Sequence, residues 1–434
     1  MSVDMTRTHG AACHVKPGRA SVVSVLDVGS TKIACLIARL KPVDEDALLA
    51  GRTHAIEVLG YGYQQSRGVK GGLIVDVNRA EKAIRRAVDA AEQMAGVTVE
   101  SLIVTQTGGR IASEAFGATV DLDEGTVRDG DIRRVLSASG RHQISQGRTA
   151  LHALPIGYSL NGQSGLSDPR GMVGDVLGVD VNVITADRSA QDNLILTVNH
   201  SHLDVEAVVA TPYASGLASL VDDEAELGAV CVDIGGGTSS LAIFCEGNLV
   251  HVDAIAIGGH HVTMDIAHCL SIRLEEAERL KTLEGSAIAT STDDRDTLTI
   301  HPVGEDHGVA PQVIPRVTLN QVIRPRVDEI LELIRDRLVA SGFAGRIGRR
   351  VVLTGGGSQL TGLADVARHV FGRPVRLGRP LGVKGLPIAA RGSAFSAVVG
   401  CLIYPQLQPS GLFEPSHQST GYFARMGRWL KESF

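Results

Sequence analysis

The sequence predicts an α/β chain of two related halves, with a smaller α+β module inserted in the first and a helix appended at the end. Three observations carry this. The string S-V-V-S-V-L-D-V-G-S-T-K-I-A-C-L-I-A from Ser21 has a counterpart in A-V-C-V-D-I-G-G-G-T-S-S-L-A-I-F from Ala229. Each reads as a β-branched strand, a tight glycine turn and a second strand, with Asp233 standing where Asp27 stood. A third glycine run, in R-V-V-L-T-G-G-G-S-Q-L-T-G-L from Arg350, ends a buried strand and opens a helix.

At 434 residues the chain is too long for one ordinary domain, and two or more cores are expected. Apolar residues at 44% and charged residues at 21% place it among folded globular proteins. The net charge of -6 leaves no general basic field, so nucleic acid is not an expected partner. Cys13, Cys35, Cys231, Cys245, Cys269 and Cys401 are scattered without a C-x-x-C pair and read as reduced thiols. There is no signal-peptide core and no run of 18 apolar residues. A cytoplasmic chain whose membrane contact is peripheral is therefore expected.

Residues 1–20 mix Gly, Pro, His, Lys and Arg without periodicity and read as a disordered tail. After the first hairpin, Asn78 with Glu81 three residues on predicts a capped helix, whose apolar face is Ala80, Ala83, Ile84, Ala87, Val88 and Ala91 and whose stop is Gly96. Residues 98–186 carry strand-like runs and one short helix candidate at 130–139, the pattern of a small inserted module. Beyond the second hairpin come a helix-rich stretch at 262–284, a polar segment at 285–312 and a long amphipathic helix from Leu319 to Ser341. The fold ends near Tyr404. Residues 405–420 have linker composition, and 421–434 form a last helix candidate.

The glycine runs carry the chemistry. In the first turn Gly29, Ser30, Thr31 and Lys32 present backbone N–H groups and two hydroxyls to an anion, which suits a triphosphate. Asp27 beside them can hold a hydrated Mg²⁺ that bridges phosphate oxygens. Alone, this string is a weak signal and reads more readily as an ordinary Asp-Gly hairpin turn. The second turn, with Asp233, Gly235, Gly236, Gly237 and Thr238, repeats the cradle, and consecutive glycines there are costly unless something approaches the backbone. Gly355, Gly356, Gly357 and Ser358 would let an adenosine lie against main chain at a helix start. No G-x-x-x-x-G-K-[ST] is present, and Leu360 breaks a G-x-G-x-x-G at the third run.

In this order these segments resemble the phosphate 1, phosphate 2 and adenosine motifs of the actin, Hsp70 and sugar-kinase superfamily. Within it the chain is similar to the FtsA family of bacterial cell-division proteins from Val22 to Phe434. The likeness rests on residues 60–76, 78–96, 230–243 and 351–363. It implies an actin-like (ribonuclease H-like) two-domain fold binding ATP with Mg²⁺. Subdomain 1A would comprise 21–108 and 183–227, inserted subdomain 1C 109–182, subdomain 2A 228–257 and 329–404, and subdomain 2B 258–328. It also implies that Glu278 and Lys281, in E-A-E-R-L-K, contact the ribose or adenine; read alone, they are an exposed i,i+3 charge pair. Where actin and Hsp70 carry a water-orienting Gln or Glu, this chain has Thr211, so at most weak hydrolysis is expected, with Asp27 and Asp233 as the candidate catalytic groups.

By the same resemblance the chain would polymerise with itself on the cytoplasmic face of the inner membrane at the division site. It would bind the C-terminal tail of FtsZ and recruit later division proteins. A pilus-assembly protein of the PilM type and a small-molecule kinase share the superfamily, but a terminal helix argues against the first and the lack of a further carboxylate base against the second. An acidic tail on subdomain 2B needs cations, and Arg316, Arg324 and Arg326 are candidates, or else ordinary solvated charges. Arg324 stands where many relatives carry an acidic residue. In the last segment Tyr422, Phe423, Met426, Trp429, Leu430 and Phe434 share an arc of roughly 140°. Arg425, Arg428 and Lys431 lie across from them, a composition fitting a helix that rests on an anionic membrane surface.

Overall fold

The structure, a computed structural model, describes residues 15, 18–43, 52–140, 144–289, 295–303, 311–345, 347–348 and 350–407. The expected terminal helix and most of both the tail and the linker lie outside them.

The first sheet grows from the first hairpin. β1 (Ser21–Val28) and β2 (Lys32–Pro42) are antiparallel, and β3 (His54–Gln65) adds antiparallel to β2. A two-stranded ribbon, β4 (Val69–Lys70) and β5 (Leu73–Ile74), leads into α1 (Val77–Ala95). β6 (Ser101–Gln106) then returns parallel to β1. The predicted apolar face of α1 is buried against this sheet, and Gly96 ends the helix at a left-handed φ of 67°. The cap differs from expectation. Asp76, two residues before Asn78, accepts the Arg79 N–H at 3.0 Å, because its carboxylate sits at the extended residue just outside the first turn whereas Asn78 already lies inside the helix.

From Ile111 the chain leaves this sheet for the inserted module. It holds β7 (Ala112–Asp121), α2 (Asp129–Ser139), β8 (Arg148–Leu160), β9 (Gln163–Leu166) and β10 (Val176–Asp187), with α2 packed through Ile132, Val135 and Leu136. α3 (Arg188–His200) and β11 (Asp204–Ala210) bring the chain back beside β6. His152 of β8 pins the module to the core. It is wholly enclosed between Tyr213 and Tyr404, and its Nε2 accepts the Ala210 N–H at 3.0 Å. Burial pushes its imidazole down to about 3, so the ring stays neutral at this junction.

α4 (Thr211–Ser219) and α5 (Asp222–Leu227) precede the second half. There β12 (Ala229–Ile234), β13 (Ser239–Cys245) and β14 (Asn248–Ile255) repeat the antiparallel trio. The polar region contains α6 (Gly259–Cys269), α7 (Leu274–Leu283), β15 (Thr297–Ile300) and β16 (Gln312–Pro315). α8 (Arg316–Ala340) starts three residues before the expected Leu319 and buries Leu319, Ile323, Val327, Ile330, Leu331, Ile334 and Leu338. β17 (Arg350–Thr354), α9 (Leu363–Phe371), β18 (Val375–Leu377), β19 (Val383–Lys384) and α10 (Ser396–Ile403) finish the described chain.

Strand order exposes the duplication. One sheet runs β11-β6-β1-β2-β3, with β19 at its edge, and the other begins β18-β17-β12-β13-β14. In both, the hairpin's first strand pairs parallel with a later strand, which pairs parallel with a later one again. The second sheet continues through a single bridge, Ala112 to Asp253, into the inserted strands. α4 and α10 pack between the halves on Val25, Leu36, Cys231 and Val352, so the two glycine turns end up facing each other.

Candidate functional site

The two glycine turns close in the same way. Gly29 N–H donates to Lys32 O at 2.9 Å, and Gly235 N–H donates to Thr238 O at 2.9 Å. The start of α6 holds the second turn from behind, as Gly259 and His260 donate to the carbonyls of Gly235 and Gly236 at 2.9 and 2.7 Å. Glycine is required at the contact between the turns. A Cβ on Gly236 would lie 2.3 Å from Thr31 Cγ2, and one on Gly237 would lie 2.4 Å from Ser30 Oγ. A cavity of about 840 Å³ opens here, lined by Asp27, Gly29, Ser30, Thr31 and Lys32 from the first turn and by Asp233, Gly235, Gly236, Gly237 and Thr238 from the second.

The aspartates stand near the ends of corresponding strands in the two sheets, β1 and β12, and are almost fully buried, at 5% exposure for Asp27 and 7% for Asp233. Asp27 Oδ1 accepts from Thr105 Oγ1 at 2.7 Å, and its Oδ2 pairs with Lys32 Nζ at 3.0 Å. Lys32 is itself held over the Phe395 ring, 4.4 Å from its centroid. Asp233 has no cation bonded to it among the described residues and accepts from Ser215 Oγ. Burial lifts its carboxyl to about 6, helped by the charge of Asp27, against the opposing pull of Ser215 and Lys32.

A second cavity of about 270 Å³ adjoins the first, sharing Thr31, Gly235, Gly236, His260, Glu278 and Gly356 with it. Lys281 and Gly357 line this part. Lys281 Nζ reaches Glu278 Oε2 at 2.7 Å, Thr263 Oγ1 at 2.9 Å and Gly259 O at 3.1 Å. Burial raises the Glu278 carboxyl, but the charge and hydrogen bond of Lys281 and the Thr263 hydroxyl outweigh it and hold the group below its ordinary value. The pair thus sits at the cavity mouth, with Lys281 largely covered and the Glu278 side chain about half exposed. Gly355, at φ 82°, presses on the second turn, where a Cβ would lie 2.3 Å from Asp233 Oδ1.

Ser358 departs from expectation. It is buried, and its hydroxyl donates to Gly355 O at 2.7 Å and shares a hydrogen bond with Ser393 Oγ at 3.2 Å, closing the short 3-10 turn Gly356–Gln359. That turn, not an α-helix, follows the third glycine run, because Gly362 restarts the chain at a left-handed φ before α9. Arg316, Arg324 and Arg326 lie on α8 and line neither cavity. Arg316 donates to Glu284 O at 2.9 Å, Arg324 pairs with Asp328 at 2.8 Å, and Arg326 grips Asp265 at 2.6 Å as well as Glu329. The segment containing Trp429 is outside the described residues.

Sequence reading missed several cleft groups. Thr105 and Ser215 lie far along the chain and become recognisable only when their strand and helix dock beside the aspartates. Ser66 lines the larger cavity, and its hydroxyl is buried with no hydrogen-bond partner among the described residues. Its backbone N–H donates to Thr31 O at 3.0 Å, fixing it beside the first turn. Thr211 lines the same cavity and shares a hydrogen bond with Thr107 at 2.8 Å, so no side-chain base stands there. A bare-backbone double cradle and a nearby orphan hydroxyl fit the phosphates of a nucleotide, with an annex alongside, and the two carboxylates are of the type that would hold a hydrated divalent cation.

Among known proteins, residues 230–400 match the family described as Cell division protein FtsA, and residues 108–185 match the SHS2 domain inserted in FTSA. Cell division protein FtsA of Rhizobium meliloti (strain 1021) is 54% identical over 423 residues, 96% of each chain. That of Pseudomonas aeruginosa is 34% identical over 94% of this chain and 97% of its own. In overall shape the chain resembles the PilM-PilN type IV pilus biogenesis complex, with a TM-score of 0.60 at 14% identity over 89% of this chain and 99% of that one. It also resembles MreB5 of Spiroplasma citri bound to ADP, with a TM-score of 0.51 at 14% identity over 88% and 96%. The fold is the actin-like one with an inserted module, and the chain belongs to the FtsA family of cell-division proteins.

Proposed function

We propose that this chain binds ATP with Mg²⁺ between its two halves and uses it to control self-assembly on the cytoplasmic membrane. There it tethers the FtsZ ring through the FtsZ C-terminal tail and recruits later division proteins. The observation that carries the nucleotide reading is the single cleft made by two copies of one hairpin. Gly29 to Lys32 and Gly235 to Thr238 would hold the phosphates, Gly355 to Gly357 with Glu278 and Lys281 the adenosine. Asp27 and Asp233 would hold water of the Mg²⁺ shell, the metal's part being to neutralise phosphate charge. The structure of MreB5 of Spiroplasma citri, which is bound to ADP, supports a nucleotide in this fold.

Because both halves contribute, a ligand between them biases their closure and hence any assembly that depends on it. With Thr211 tied to Thr107, position 211 offers no carboxylate or amide to orient water, and the cleft favours a slow hydrolytic switch over rapid turnover. For the membrane end, Trp429 and its apolar neighbours would enter the interface while Arg425, Arg428 and Lys431 meet anionic headgroups, and a polymer carrying many such helices would bind by avidity. No helix among the described residues is long and apolar enough to cross a membrane. Of the three arginines, Arg324 is the most exposed, so an acidic tail would have to displace its bond to Asp328.

Flotation with anionic vesicles tests the adaptor reading. The parent chain is expected to float with ATP, and Trp429→Glu is expected to stay in the soluble fraction with unchanged ATP affinity. A Trp429→Glu chain that floats like the parent overturns the membrane end.

A further inference from the structure

A third cavity, of about 450 Å³, lies outside the cleft, between the end of β3 and one face of α1. Its walls include Gln64 and Gln65 from the strand, Arg67 beyond it, and Arg79, Lys82 and Arg86 from the helix. All four cations are exposed. Arg79 reaches Asp76 at 3.3 Å, while Arg67, Lys82 and Arg86 have no ion pair among the described residues. Residues 79, 82 and 86 share a helix face, where like charges repel unless an anion is shared between them. In a chain whose net charge is -6, four cations around one concavity, of which Arg79 alone is ion-paired among the described residues, stand out. Unlike the nucleotide cleft, its lining is side chains, suited to carboxylates on a protruding segment that enters between strand and helix.

The complementary charge sits on the same chain at the other end of the same strands. Pro42 at the end of β2 pairs with His54 at the start of β3, and the connection between them contains Asp44, Glu45 and Asp46. Those three lie outside the described residues, but their tether bounds their reach. Asp46 is four residues from Pro42 and can extend roughly 14 Å. β3, twelve residues long, puts the cavity roughly 36 Å away. The segment cannot fill the cavity of its own chain.

We propose that this cavity receives the Asp44-Glu45-Asp46 segment of a second copy of the chain. Donor and acceptor lie at opposite ends of one β2–β3 ladder, so the contact is head-to-tail and repeats along the strand direction, building an open filament rather than a closed dimer. Charge complementarity sets register and encounter rate, and the contact weakens with salt because its partners are exposed. The proposal rests on the self-assembly reading above.

ATP-dependent sedimentation of the full chain tests it with charge reversals at both ends. Lys82→Glu with Arg86→Glu, and separately Asp44→Lys with Glu45→Lys and Asp46→Lys, are each expected to raise the concentration needed for assembly roughly ten-fold or more. Thermal midpoint and ATP affinity should stay near the parent's. A chain carrying both sets should regain assembly, because opposite charges again meet. Reversed chains that assemble like the parent overturn this interface and leave the self-assembly reading standing. Reversals that impair assembly without rescue by the combined chain also overturn it, and would point to an acidic segment of another protein. A parent that does not assemble with ATP overturns the assembly reading and this contact with it.

Discussion

The β1–β2 and β12–β13 hairpins place an aspartate at the same strand end, yet the two carboxylates live in different electrostatic settings. Asp27 has a cation 3.0 Å away in Lys32 and a donor in Thr105, whereas Asp233, equally buried, has only the Ser215 hydroxyl among the described residues. Topology was duplicated, and the countercharge was not. A buried carboxylate without a cation costs stability unless it is protonated or an external cation arrives. The second hairpin is the one whose charge a bound cation would complete. The first is already balanced and serves as the fixed wall.

Asp233→Asn breaks this asymmetry most. In the unliganded chain the Asp233 proton is lost near pH 6, against 3.8 for an ordinary aspartate. Below about pH 4 folded and unfolded chains both hold it. Between about 4 and 6 only the folded chain does, so stability falls as pH rises through that window and the loss is complete above it. The amide keeps the shape without the charge, so at pH 7.5 the unliganded variant should gain up to about 3 kcal/mol in denaturant unfolding, a gain that vanishes near pH 4. Affinity for ATP with Mg²⁺ should fall roughly ten-fold in the same protein. An unliganded chain that is no more stable as Asn at neutral pH would show that Asp233 is already neutralised from within.

Thr211→Glu sharpens the comparison at the wall between the hairpins. A carboxylate beside the cleft supplies the water-orienting acceptor the parent lacks, and ATP hydrolysis in a phosphate-release assay should rise roughly ten-fold or more. An unchanged rate with intact ATP binding would mean that position 211 does not face the attacking water.

The smallest expected effect belongs to Ser66 on the first-hairpin side. An orphan buried hydroxyl is a cost in the free protein, so Ser66→Ala should leave the unliganded thermal midpoint unchanged or raised. If phosphate or its bound water is the missing partner, ATP affinity should drop by roughly five-fold, about 1 kcal/mol. Lower stability with unchanged affinity would identify a purely structural hydroxyl.

Much of this was legible in the chain itself. Strand-turn-strand strings are local, so both hairpins and the glycine runs could be read directly, as could the apolar stripe of α1 and the helix near 130–139. Caps were harder: Asp76 competes with Asn78, and only backbone dihedrals decide between them. Ser358 looked like a ligand group because sequence shows its hydroxyl but not Ser393, which claims it from a distant turn. Arg316 and Arg326 read as free cations for the same reason, since Glu284 and Asp265 reach them from other elements. The imbalance between Asp27 and Asp233 was invisible too. It depends on Thr105 and Ser215, which no motif spacing ties to either hairpin.

If one nucleotide is gripped by both hairpins at once, calorimetric titration of the full chain with ATP and Mg²⁺ should respond to a variant in either hairpin. The parent should bind a single equivalent. Lys32→Ala, which removes a cation from the first cradle, and Gly236→Val, which puts a branched side chain where Thr31 and phosphate meet, should each weaken binding by roughly a hundred-fold while the chain stays folded. Parent-like affinity in either variant, or no binding by the parent, would contradict a shared site.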